Sequence, residues 1–153
     1  MTTLLLSLHV LAAVVAIGPV TVAASMFPKA LRRAHSEPGD HEALTALRML
    51  HRICRVYAAV GIAVPVFGFA TARSMGVLDS GWLIVSILLT AAAAAILALL
   101  ILPAQGNALA AAQVSGPALG SPGRLAMVTG IFNLLWAVVT VLMVIRPGST
   151  TGV

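Results

Sequence analysis

Few side chains in this chain could do chemistry, and most of them sit in or beside apolar runs. His9 stands inside the first run. An ionisable group in such a place is costly and usually faces an interior for a reason. A neutral imidazole there could ligate haem iron or copper, or relay protons. The alternative is structural: a hydrogen bond to Ser86 or Thr140 that only holds two helices together. No second histidine falls at its depth, which disfavours a bis-histidine haem. Met75 and Met143 would have to converge with His9 to make a soft copper site. His51 and Cys54 stand at i and i+3, with Arg52 and Arg55 beside them. Two ligands do not make a zinc site, which normally takes four. A neighbouring cation could make the Cys54 thiol reactive; otherwise it is a small packing residue. Asn133, in the middle of the last run, reads as a polar bridge between helices or as a step in a polar pathway.

Other chemistry is missing from the sequence. There is no glycine-rich phosphate loop and no Ser-His-Asp set. All four acids, Glu37, Asp40, Glu42 and Asp79, fall between the apolar runs. That argues against an ion-coupled pump built on buried carboxylates, and the sequence offers no catalytic machinery to assign.

The elements that must position these residues follow from composition. Of 153 residues, 60% are hydrophobic and 8% are charged. A water-soluble domain carries roughly a quarter of its residues as charges, so lipid must cover much of this one. The net charge of +5 is too sparse for nucleic acid and sits at the ends of apolar runs, the pattern of membrane anchoring. One cysteine excludes an internal disulfide.

Four apolar runs stand out, at 4–26, 56–72, 81–102 and 125–145. A helical lead-in starts the second near residue 53. Each is long enough to cross a bilayer, and none alternates with period two as a membrane β-strand would. Positive charges follow the first run and do not precede it, which favours a retained span over a cleaved secretory signal. Lys29, Arg32, Arg33, Arg48, Arg52, Arg55 and Arg124 fall on one side, Arg73 and Arg146 on the other. The positive-inside rule then puts both termini outside and the basic first connection, 27–52, in the cytoplasm.

Within that connection Ser36-Glu37-Pro38-Gly39 reads as a turn. Asp40 caps a helix starting at His41. The first half of the third connection extends the third helix, and the tail, 147–153, reads as disordered. Lys29, Arg32, Arg33, Arg52 and Arg55 are candidates to contact anionic headgroups, and Trp82 and Tyr57 to anchor at opposite interfaces.

Bundle interiors collect small and polar residues. Stripes at three- and four-residue steps run through His9, Ala16, Ala23 and Met26; through His51, Cys54, Pro65 and Gly68; and through Ala126, Thr129, Asn133 and Thr140. At about 1.5 Å per residue, His9, Ser86, Thr140 and Gly68 reach one level, with Thr90 and Asn133 nearer the midplane. This predicts an interior polar layer of His9, Ser86, Thr90, Asn133 and Thr140 with a glycine gap beside it. Pro19 and Pro65 should kink their helices.

From Leu8-His9-Val10-Leu11-Ala12 through Gly18 to Phe27-Pro28-Lys29, the chain resembles the first span of a family of small four-helix bacterial integral membrane proteins of unknown function. More distantly it is similar to copper-resistance D-type membrane proteins and to the membrane protoporphyrinogen oxidase of the HemJ kind. The resemblance implies a four-helix membrane fold. It also implies that His9 stands where the oxidase kind has a haem-ligating histidine.

The expectation is an all-α polytopic membrane protein: one domain, four transmembrane helices in an up-down bundle, in the plasma (inner) membrane. Its leading functional reading is an accessory or scaffold protein that packs against itself or a larger membrane complex. The rivals are a haem-linked redox protein using His9 and a small transporter or copper permease.

Overall fold

In the computed structural model of the chain, which describes residues 2–114 and 121–148, six α-helices join into four long rods. α1 is Thr2–Ser36, α2 His41–Val60, α3 Ala63–Met75, α4 Gly81–Ala95, α5 Leu102–Gln113 and α6 Pro122–Ile145. A π-helical turn, Ile96–Ile101, joins α4 to α5. Four helices, Thr2–Ser36, His41–Met75, Gly81–Gln113 and Pro122–Ile145, are long and apolar enough to cross a membrane. The described residues contain no strand. Residues 115–120 of the third connection and 149–153 of the tail lie outside the described residues.

Local chemistry sets the boundaries. Gly39 takes φ +95°, the left-handed conformation that closes the turn after α1. The Asp40 side chain then accepts from the backbone N–H of Glu42 (2.8 Å) and Ala43 (3.1 Å), capping α2. Arg33 at the end of α1 reaches across to Asp40 (2.8 Å) and Glu42 (3.0 Å), pinning the two helices at this end.

The prolines act unequally. α1 stays helical through Pro19 and Pro28. Pro65 lacks the N–H that would bond the Gly61 carbonyl, and the rod breaks there into α2 and α3. The Val64 N–H takes that carbonyl instead, at 3.1 Å, in a tighter turn. Pro103 acts differently again. It lies early in α5, and its ring crowds the carbonyl four residues back. The chain accommodates it by widening the preceding turn, with the Leu102 N–H bonding Leu97 O.

α1 packs along α2, α3 and α6; α4 lies on α6, and α5 closes against α2. The main core gathers Phe27, Leu31, Leu47, Cys54, Ile101 and Phe132, with small residues such as Ala24 and Ala93 letting the backbones approach. A second cluster, Ala72, Trp82 and Leu83 with Met143, closes the opposite end.

The inward faces keep much of the expected stripes, with Ala16, Ala23, Cys54 and Thr129 buried, but not all of them. Met26 is exposed on α1, Pro65 on α3, and Ala126 and Thr140 on α6, while Val20, Phe27, Phe132 and Val139 point in. Large side chains, not only small ones, fill this interior. Trp82 is likewise buried in the end cluster and not displayed at its rim, with Arg146 6.0 Å above its ring.

Candidate functional site

The polar side chains of the rods form three separate constellations. The first joins α1 to α3. His9 Nδ1 lies 2.9 Å from the carbonyl oxygen of Val64. A carbonyl only accepts, so Nδ1 carries the hydrogen, and in the neutral ring Nε2 keeps a free lone pair. Gly68, one turn beyond Val64, makes the approach feasible: a Cβ there would stand 2.8 Å from His9 Cε1 and 3.1 Å from Nδ1.

The second lies at the other end, between α2 and α5. His51 Nδ1–H donates to Gln105 Oε1 at 3.2 Å. The Gln105 amide N–H in turn meets Cys54 Sγ at 3.6 Å. Gln105 and Cys54 are fully buried, and the His51 ring lies alongside Gly106, with His51 Cε1 3.8 Å from where a Cβ would be, an ordinary contact. His51 and Cys54 were legible as one helix face; Gln105 was not, because Pro103 reads as the start of a connection. The signal available was a polar amide followed by glycine just past the apolar run.

The third is on α6. Asn133 Nδ2 donates to Ser25 Oγ on α1 at 3.1 Å, while Asn133 Oδ1 has no partner among the described residues. Thr129 Oγ1 and Trp136 Nε1, on the same face, are also buried and unpaired. Phe132 and Trp136 meet edge to face, with ring centroids 6.3 Å apart.

The expected polar layer is not a connected one. Ser86 is buried but bonds Trp82 O (2.8 Å), Thr90 bonds Ser86 O (2.7 Å) and Thr140 bonds Trp136 O (2.8 Å). Each hydroxyl returns to a carbonyl four residues back on its own helix, so none needs an interhelical partner. That is why Thr140 can face outward, and why His9 finds a backbone carbonyl and not Ser86 or Thr140.

Of the headgroup candidates, Lys29, Arg32, Arg52 and Arg55 are exposed. Arg33 is engaged by Asp40 and Glu42 instead. Cys54 is buried, away from any reagent at the surface. Met143 packs in the end cluster. Among the described residues, no three of His, Cys, Asp and Glu come together as a metal-holding group.

What these constellations can do chemically is hold helices in register, and His9 can in addition present one lone pair for ligation. No family model matches the chain, and neither a curated protein nor a solved structure does.

Proposed function

We propose that the chain is a small integral membrane protein of the bacterial plasma membrane whose work is assembly. In this reading it crosses the bilayer four times. Both termini lie outside, and the basic connection between α1 and α2 lies in the cytoplasm, as its positive charges favour. It acts as an accessory or scaffold subunit that packs against further copies of itself or a larger membrane complex.

The observation that carries this is the placement of small residues on outward faces. Gly18 on α1 and Gly130 on α6 sit at exposed positions where a Cβ would meet nothing within 4 Å. Glycine inside a helix costs roughly 0.5–1 kcal/mol relative to alanine, and no contact among the described residues explains either one. Ala91, Ala95 and Ala98, at exposed positions, add small residues on the α4–α5 rod. Lipid contact does not call for small residues, whereas a second helix approaching closely does.

The test is association in a lipid environment. Purified in mild detergent and returned to vesicles, the protein should run as a complex, with itself or with a co-purified membrane partner. Gly18→Leu with Gly130→Leu should dissolve that complex while the circular dichroism stays helical. A wild-type protein that is monomeric and partnerless in vesicles would remove this reading.

One observation favours a second reading, a haem-linked redox protein. Ligating histidines are commonly oriented by a hydrogen bond from the other ring nitrogen to a carbonyl, which is the arrangement of His9 on Val64. His9 would hold the iron through Nε2, and a haem bound there would supply one-electron chemistry. A Soret band after haem-replete expression, lost in His9→Ala, would support it; a colourless protein would end it.

A further inference from the structure

Beside the π-helical turn, a groove of about 280 Å³ opens between α1, the α4–α5 rod and the start of α6. Its walls are apolar, formed chiefly by Leu31, Leu99, Leu100, Leu125 and Val128. Its rim is not: Asn107, Ser121 and Arg124 line the groove from exposed positions. Leu99 and Leu100 are largely exposed, so the groove opens sideways, toward whatever surrounds the bundle. Pro103, just after the widened turn, also lines the groove.

We infer that this groove binds one anionic phospholipid, its phosphate at Arg124 and an acyl chain along Leu99, Leu100 and Val128. The inference rests on the membrane reading above. Charge complementarity selects the occupant. Arg124 has no carboxylate partner among the described residues, where both ion pairs belong to Arg33. It lies in the first turn of α6, where backbone N–H groups have no partner within the helix and the helix dipole favours an anion. Ser121, at the cap position, makes no side-chain capping bond that would compete. The Asn107 amide adds a further donor at the rim. A neutral lipid tail would satisfy the walls alone; only a negatively charged head matches walls and rim together.

The level fits as well. Leu31 lines the groove and is followed directly by Arg32 and Arg33, so the mouth lies at the basic end of the bundle. That is the end the positive-inside rule assigns to the anionic leaflet.

The experiment measures lipid retention by the full chain. Protein reconstituted in nanodiscs of phosphatidylcholine with phosphatidylglycerol is released into detergent and weighed by native mass spectrometry. The expected result is one phosphatidylglycerol per chain, retained in preference to phosphatidylcholine. Arg124→Gln should cut retention about fivefold, and Val128→Trp, which fills the groove, should abolish it. Arg73→Gln, at an exposed position on α3 that does not line the groove, should leave it unchanged. Equal retention of both lipids, full retention in both groove variants, or displacement of the lipid by millimolar inorganic phosphate would overturn the proposal. An alkaline carbonate wash of the source membranes separates the two readings. Protein that stays in the pellet yet retains no lipid refutes the groove alone; protein that washes out refutes the membrane reading first.

Discussion

Gly68 and His9 share one space: a Cβ on residue 68 would stand 2.8 Å from the Cε1 atom of the imidazole that bonds Val64. Glycine there is therefore tied to the histidine. Gly68→Ala should push the ring away and break the bond to Val64 O, lowering stability by about 1 kcal/mol, the size of an interhelical hydrogen bond in lipid. In a His9→Ala background the same substitution should raise stability by about 0.5–1 kcal/mol, since alanine is the better helix former. Unfolding of the four variants in mixed micelles checks this. The sign of the Gly68→Ala effect must reverse between backgrounds.

Gln105 is the only bridge between His51 and Cys54 among the hydrogen bonds of the described residues. Gln105→Ala should leave the His51 N–H without its acceptor and open space beside the Cys54 thiol. A lost buried partner costs about 1–3 kcal/mol. Cys54 should also become reactive toward a membrane-permeant maleimide, from almost none in the wild type. Labelling followed by mass spectrometry reads the change; a thiol that stays protected means Gln105 does not close the site.

Pro103 should control the same site from two residues away. The π-helical turn admits the proline ring and thereby fixes the rotation of α5. In Pro103→Ala the turn is free to revert to an α-helix, rotating α5 by about 100° for each residue taken up. Gln105 would then leave His51. Cys54 labelling in Pro103→Ala should match that of Gln105→Ala, and the double variant should label no faster than either. Additive rates would show that the two residues act separately.

The signals that were readable in the sequence are local ones. The Ser36–Gly39 turn and the Asp40 cap depend on a few adjacent residues, and the structure has both. Four apolar runs gave four long helices because length and hydropathy alone set that. Counting rise along the helices also put Gly68 at the level of His9. The misreadings came where a residue had two ways to satisfy itself. Ser86, Thr90 and Thr140 could bond across helices or back along their own, and they bond back. The helix was expected to run on past Pro103, and it does; what could not be read is that the widened turn before Pro103 would leave Gln105 buried in the core. Inward faces were legible in part: Ala16, Ala23, Cys54 and Thr129 are buried, while Phe27 and Phe132 also fill the interior that a small-residue rule would empty of them.

The junction of α1 and α2 should be sensitive to acid through Asp40. The backbone N–H of Ala43 is the main cause holding its carboxyl below the usual range; Glu42 N–H and Arg33 add to this, and partial desolvation opposes it. A carboxyl depressed in the folded state contributes stability that is present above its unfolded pKa and is lost as pH falls through the folded one. The loss should therefore begin near pH 4 and continue below it, with α2 fraying from His41. Asp40→Asn keeps an oxygen that can cap the helix but does not titrate, so its stability should vary less over this window. Asp40→Ala should weaken the junction at neutral pH already. Hydrogen exchange of the Glu42 to Thr45 amides between pH 6 and pH 3 distinguishes the three proteins. Equal acid dependence in the wild type and Asp40→Asn would mean that another group carries the effect.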